Sequence, residues 1–366
     1  MSYVGGYQGA PVSHLLDVMV QARDYLDTLG VHVEACTNEA SAAALLAASI
    51  NYPARGAVTW KSIVGTNVAA DGLSNLASAG VIGGALIVVG EDYGEGASVI
   101  QERTHAYAMK SSLWLLDPRP NLPTIVRLVE HGFALSEASN TPVIMELRIR
   151  ACHVRGAFDC SDNVSPAVST RALLAGPPEF NYDRLSHPPA TFKQEKLKSD
   201  VRRPAAREYI VANQINEYFG PDNTSGDNTS GDSTVDQAAS IGLIVQGGLY
   251  NNLIRALQQL GLANGIGASR VSILCLNAVY PLVPEQITQF CAGKRAVLAL
   301  EEGQPEYIEQ ELNTILRRAD LQTPLHGKDM LAMAGEYSTE LHWSRMCRRG
   351  RRHFASVAQN GRCSRR

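Results

Sequence analysis

The sequence predicts an α/β chain of two doubly wound parallel-sheet domains, and three observations carry that prediction. Short, continuous apolar runs, "GAVTW", "ALIVVG" and "TPVIMELRI", read as strands covered on both faces, the pattern of a parallel sheet wrapped by helices. These runs alternate with helical patterns from residue 1 to about 165. After a polar interruption the alternation restarts at "IGLIVQGGLYNNLIRALQQLGL". With 366 residues the chain can build more than one core.

The first strand is reached almost at once, because only Met1 to Val4 precede the glycine-rich "GGYQGAP". The helix that follows, "SHLLDVMVQARDYLDTLG", places Leu15, Val18, Met19, Ala22, Leu26 and Leu29 on one stripe, with Gly30 as the stop. "ASAAALLAASINYP" is a second helix, so apolar that it must lie against a sheet. From Pro166 to Pro221 prolines and charges predominate, and 166–239 reads as a charged linker with some helix. That linker ends in the polar tandem repeat "DNTSGDNTSGDST", which can bury nothing and is expected to form a flexible loop. Strands are then expected at Ile241–Gln246, Val271–Leu276 and Ala296–Leu300 in a second domain over 240–342, with a basic tail at 343–366.

Composition narrows the function classes. At 45% hydrophobic and 19% charged the chain is an ordinary globular composition. It lacks an apolar run long enough to span a bilayer and a cationic, apolar leader, so a cytoplasmic, membrane-free protein is expected. Seven cysteines without a CxxC pair or an iron–sulfur run read as reduced thiols. The net charge of -3 combines an acidic body with eight arginines after Ser344, and an acidic body offers no nucleic-acid footprint.

Four local patterns are candidate sites. Gly5, Gly6 and Gly9 before Pro11 let backbone N–H groups approach a ligand at a helix N-terminus, without the spacing of a nucleotide fingerprint. Glu39 follows Asn38 at the start of the second helix. By itself it reads as a first-turn acid of a capped helix. Its apolar surroundings, however, should partly desolvate it, and desolvation favours the protonated carboxyl. "WKSIVGTNVAADGLSNLASAG" is expected to hold Lys61, Asn67 and Asp71 in a loop after a strand, where open α/β sheets collect ligands. "GEDYGEGASVIQERTHAYA" occupies a similar place, and its Glu91, Asp92, Gln101, Glu102, Arg103 and His105 read by spacing as solvated loop charges.

In order, GYQGAP, TNEASA, TWKSIVGTNVAAD, VVGEDYGEGAS and TPVIMEL resemble the pyrimidine-binding domain of indolepyruvate:ferredoxin oxidoreductase large subunits. These belong to the thiamine diphosphate-dependent 2-oxoacid:ferredoxin oxidoreductases. GLIVQGGLYNN, VYPLVPEQI, AVLALEEGQPEYIEQEL and AGEYSTEL resemble the next, transketolase C-terminal-like domain, so the resemblance spans about residues 4–342. It implies that Glu39 hydrogen-bonds N1′ of the aminopyrimidine and shuttles the proton that activates the cofactor. It implies Gly9, Pro11, Lys61 and Asn67 as further cofactor contacts, and positions Ala10 and His105 beside the substrate. It also implies oxidative decarboxylation of a 2-oxoacid, an aryl pyruvate by family, to acyl-coenzyme A. Electrons would pass to ferredoxin through an iron–sulfur, gamma-type partner subunit in an oligomer.

Departures from the family pattern fall on the substrate side. Gln8, Ala10, Val12 and His14 stand where GYPGTPSSE has Pro, Thr, Ser and Glu, and His105 stands where an arginine is common. The sequence reads as truncated at both ends, with the magnesium and diphosphate-binding domain and the cluster segment on a missing domain or a partner chain. "RMCRRGRRHFASVAQNGRCSRR" then resembles out-of-frame coding sequence, or else a basic tail for an anionic partner. Two alternatives stay open. One is an inactive fragment or interaction module that keeps the fold, and the other is a different type of thiamine diphosphate enzyme subunit.

Overall fold

The computed structural model describes residues 1–93, 100–101, 103–177, 180–221 and 240–339. The loop residues 94–99 with Glu102, the tandem repeat and the basic tail lie outside the described residues. The chain divides into two compact units, one of Met1–Asp92 with Gly96–Asn213 and one of Tyr93–Glu95 with Gln214–Arg366.

The first unit runs β1 (Tyr3–Gly6), α1 (Ser13–Gln21), α2 (Arg23–Thr28), β2 (His32–Ala35), α3 (Glu39–Leu46), α4 (Ala48–Asn51) and β3 (Gly56–Lys61). It continues with α5 (Ser62–Ala79), β4 (Ala85–Glu91), α6 (Thr104–Ser111), β5 (Trp114–Leu116), α7 (Leu122–Ser139), β6 (Val143–Arg148) and α8 (Ile149–Cys152). The strands of this unit lie in the order β5-β6-β4-β3-β1-β2, every pairing parallel. All seven residues of β4 are buried, as are Gly56–Trp60 of β3, which is why those segments read as unbroken apolar runs. At the sheet edge β2 buries only Val33.

Two local expectations are corrected. The long first helix breaks at Ala22, and its buried face is Val12 and Leu16, while Val18 of the expected stripe is 57% exposed. Gly5 and Gly6 belong to β1 rather than to the loop, and a Cβ on Gly5 would lie 2.5 Å from Leu45 Cδ2. Gly5 is glycine because α3 packs directly on the strand, and Gly6 because its φ of 156° and the neighbouring Thr59 backbone of β3 leave no room for a Cβ.

Much of the segment read as a linker folds into the first unit, through α9 (Thr170–Leu174), α10 (Ala190–Leu197) and α11 (Arg203–Ala212). Arg202, 4% exposed, is the pin. Its guanidinium donates to the carbonyls of Ala77 (2.9 Å) and Ala79 (3.4 Å), capping the C-terminus of α5, and also to Gln194 Oε1. Burial pulls its pKa down to about 10. A charged segment can therefore pack when each charge meets a helix end or a partner.

The second unit contains β7 (Glu217–Phe219), β8 (Ile241–Gln246), α12 (Tyr250–Gln259), β9 (Ser272–Leu276), β10 (Ala278–Tyr280), α13 (Pro284–Cys291), β11 (Ala296–Leu300), α14 (Tyr307–Arg318) and β12 (Leu325–His326). Its sheet runs β12-β11-β8-β9-β7 and is parallel except for β7, an antiparallel edge strand from the charged segment. Ile241, Leu243, Val245, Leu253, Ile273 and Leu298 form its core with Tyr337.

Candidate functional site

The site is built at the carboxyl ends of the central strands of the first unit. β1, β3 and β4 end at Gly6, Lys61 and Glu91, and the Gly9–Pro11 loop lies across them. A Cβ on Gly9 would sit 2.5 Å from Lys61 Cβ and 2.6 Å from its backbone nitrogen. A Cβ on Gly90 would sit 2.5 Å from Pro11 Cδ. The loop thus rests on two strand backbones, and only glycine at both positions allows that approach.

Glu39 is the first residue of α3. Asn38 caps the helix, its side chain accepting from the Ser41 N–H at 2.8 Å, so the carboxyl of Glu39 stands beside the positive end of the helix dipole. Glu39 is 6% exposed, and among the described residues no group hydrogen-bonds its carboxyl. Room for it comes from Gly65, one turn into α5. A Cβ there would lie 2.6 Å from Trp60 Cδ1 and 3.0 Å from Glu39 Cγ. Trp60 is fully buried, its ring N–H donating to Thr66 Oγ1 at 3.2 Å. A carboxyl held at a helix start on a largely buried residue, without a hydrogen-bond partner among the described residues, is available to a ligand.

The structure brings Gly9, Pro11 and Lys61 together and sets Glu39 against α5. It does not form the expected loop after β3. The strand passes straight into α5, and Asn67 and Asp71 lie on the exposed face of that helix. Asn67 Nδ2 donates to the Ile63 carbonyl (3.0 Å), and its Oδ1 accepts from Tyr107. Gly65 did not break the helix because its missing side chain is filled by Trp60 and Glu39. Ala10 is exposed on the loop.

Of the side chains read as solvated around the end of β4, Gln101 is exposed and Glu102 lies outside the described residues, but the other four are buried. Glu91, Asp92, Arg103 and His105 are all 3% exposed or less. Glu91 Oε1 accepts from the Thr104 N–H (2.8 Å), fixing the start of α6, and the Thr104 and Ser62 hydroxyls bond each other across the starts of α6 and α5. His105, second in α6, is held well below the ordinary histidine pKa by burial and then by Arg103, so its ring is neutral.

Sequence reasoning passed over Asp117, Glu146 and Arg148. All three are buried, with Arg148 forked onto Asp117 (2.8–3.3 Å) and 3.2 Å from Glu146. The signal was available, since "VIMELRI" puts a carboxylate and a guanidinium inside an otherwise apolar strand. In the second unit Glu301 accepts from the N–H groups of Ile308 and Glu309 (2.9 Å each), capping α14. Lys328 Nζ ties the Glu301 carbonyl (2.7 Å) to Tyr337 Oη (2.8 Å). These contacts make Glu301 and Tyr337 part of the scaffold.

No family model matches the chain. It is 25% identical over 337 residues to indolepyruvate oxidoreductase subunit IorA of Methanothermobacter marburgensis, covering 92% of this chain and 49% of that one. It is 28% identical over 337 residues to the Thermococcus kodakarensis IorA, covering 91% and 47%. The chain is a relative of these IorA subunits. It spans about half the length of the curated relatives it matches. Among solved structures, the fold is shared with a 2-oxoglutarate:ferredoxin oxidoreductase from Magnetococcus marinus, at TM-score 0.65 and 15% identity over 95% of this chain and 62% of that one. It is shared also with an inactive β4 tetramer of a split-gene transketolase, at TM-score 0.52 and 10% identity over 89% and 82%. Among the described residues no helix is long and apolar enough to cross a membrane, and no cluster of His, Cys, Asp or Glu is arranged to hold a metal.

Proposed function

We propose that this chain is part of a thiamine diphosphate-dependent 2-oxoacid:ferredoxin oxidoreductase, with aryl pyruvates such as indolepyruvate as substrates. The observation that carries the reading is Glu39, a buried helix-start carboxyl without a hydrogen-bond partner among the described residues and with Gly65 leaving room beside it. This site fits an aminopyrimidine, whose ring nitrogen needs one carboxyl without a protein partner. The kinship with IorA subunits supports it.

When bound, thiamine diphosphate supplies the nucleophile and electron sink for loss of carbon dioxide from a 2-oxoacid. The remaining work falls to this chain's residues. Glu39 gives and takes one proton at the N1′ position, held in place by the capped start of α3. Gly9 and Pro11 present backbone against the ligand, and Lys61 anchors the loop from beneath. His105 is a neutral ring in place of a fixed charge and is buried at the start of α6, so it would act on the substrate through the residues that cover it. Asn67 and Asp71, on the outer face of α5, are left outside the site. Magnesium, the diphosphate contacts and the iron–sulfur clusters are assigned to a partner domain or subunit, with coenzyme A taking the acyl group and ferredoxin the electrons.

The test is 2-oxoacid-dependent reduction of ferredoxin or a dye by the chain assembled with its diphosphate-binding and iron–sulfur partners. Indolepyruvate should outrun pyruvate and 2-oxoglutarate, and omission of thiamine diphosphate should abolish turnover. Turnover that is indifferent to the cofactor would overturn the reading.

A further inference from the structure

At the carboxyl ends of β4, β5 and β6 the first unit buries five ionisable side chains that the proposed chemistry does not use. Glu91, Asp92, Asp117, Glu146 and Arg148 are 1%, 3%, 1%, 2% and 3% exposed. Four are acids and one is a base. Arg148 is committed to Asp117, with Nε 3.3 and 3.2 Å from the two carboxylate oxygens and a terminal nitrogen 2.8 Å from Oδ2. That fork neutralises one carboxylate and leaves a longer 3.2 Å approach to Glu146 Oε1. Of the other acids, Glu91 and Glu146 stand on adjacent paired strands, with Glu91 in register with Arg148 and Val89 with Glu146. Two neighbouring carboxylates out of water cannot both ionise cheaply, so one keeps its proton.

The rest of Glu91 faces the candidate site. Its Oε1 accepts from the backbone N–H of Thr104, the first residue of α6, at 2.8 Å. Its Oε2, like Glu146 Oε1, is buried and meets no N–H or O–H donor at hydrogen-bond geometry among the described residues, a lack that a proton held between the two carboxyls would make good. The Thr104 hydroxyl in turn bonds Ser62, which opens α5 directly after Lys61. A continuous polar chain therefore runs from Glu146 through Glu91, Thr104 and Ser62 to the residue beneath the Gly9 loop.

We propose that Glu91 and Glu146 form a buried acid pair that holds one proton between them, and that this pair is a positioning device locking the start of α6 to the sheet beside Lys61. The assignment goes beyond the functional reading and does not depend on it. Burial first, then Glu91, push Glu146 well above the usual carboxylate range, with Asp117 adding to the shift and Arg148 opposing it. On the α6 side stand Arg103, which precedes the helix, and the neutral ring of His105.

The pair has a pH signature of definite sign. The fold keeps a proton that an unfolded glutamate releases above about 4.5, so its stabilisation is complete below that value and lost as pH rises through the raised one. His105, depressed in the fold, acts oppositely, its contribution being lost as pH falls below its ordinary 6.5. His105 is common to wild type and Glu146→Gln, so the acid pair is read from the difference between their pH profiles.

The test uses the full chain. Urea unfolding is followed by the fluorescence of Trp60 and Trp114, both fully buried in this unit, from about pH 4.5 upward in wild type and Glu146→Gln. One retained proton makes the folding constant fall by up to about tenfold per pH unit. Glu146→Gln supplies an N–H donor without a titrating group and should remove that dependence. Hydrogen exchange at the Thr104 amide should be at least about tenfold faster in Glu91→Ala. An unchanged pH slope in Glu146→Gln, or unchanged Thr104 exchange in Glu91→Ala, would overturn the proposal. Should Glu91→Ala not fold, Glu91→Gln decides. Its amide oxygen still accepts from Thr104, so it should protect that amide with a flattened slope, and a wild-type slope there refutes the pair.

Discussion

Gly65→Ala tests the cradle around Glu39 directly, because it adds one methyl group where the structure has no room. The new Cβ would lie 2.6 Å from Trp60 Cδ1, 2.8 Å from Trp60 Cγ and 3.0 Å from Glu39 Cγ. Trp60 cannot readily yield, since it is fully buried and bonded to Thr66, so the movable partner is Glu39. Overpacking of this kind costs about 1–3 kcal/mol. Alanine in place of a mid-helix glycine returns roughly 0.5–1 kcal/mol. The net expectation is a destabilisation of about 0–2.5 kcal/mol, each 1 kcal/mol lowering Tm by about 2–4 °C for a unit of this size. Loss of one charge-assisted hydrogen bond from a displaced Glu39 is worth about 1.5–3 kcal/mol, or roughly 10–100-fold in thiamine diphosphate affinity. The assay is thermal unfolding beside a thiamine diphosphate titration of the chain with its diphosphate-binding partner. A raised Tm with wild-type affinity would show that neither Trp60 nor Glu39 is held as described.

Other substitutions divide chemistry from scaffold. Glu39→Gln should cut 2-oxoacid oxidation by about 10²–10⁴ while leaving Tm nearly unchanged, whereas a mere first-turn acid predicts no loss of rate. Arg148→Met leaves Asp117 buried and uncompensated and should destabilise the first unit by about 3–5 kcal/mol in urea unfolding, and a cost below about 1 kcal/mol would contradict the buried fork. His105→Gln should flatten the acid limb below pH 6.5 in the stability profile, because the depressed histidine makes the fold lose stability as pH falls; a persisting limb would point to another group. Glu301→Ala removes the cap of α14 and should cost about 1–2 kcal/mol, with exchange accelerated at the Ile308 and Glu309 amides and the first unit untouched.

The sheets were legible from the sequence for a plain reason. Strands buried on both faces must be apolar throughout, so β3, β4, β6, β8 and β11 announce themselves over nearly their full lengths. Glu39 was legible as well, because Asn38 marks a helix start and an apolar helix must be buried, which puts its first carboxyl at the edge of the core. What the sequence could not decide was the fate of charges whose partners are distant along the chain. Glu91 and Arg103 read as loop charges until the fold supplied Thr104, Glu146 and a wall of strands. Arg148 meets Asp117 thirty-one positions away, and Arg202 meets the end of α5 more than a hundred positions away. Nothing local singled out Gly65, and only the packing of Trp60 and Glu39 against its empty side shows why it is glycine. Local pattern determines which faces are apolar, but burial of a charge depends on partners that only tertiary structure brings within reach.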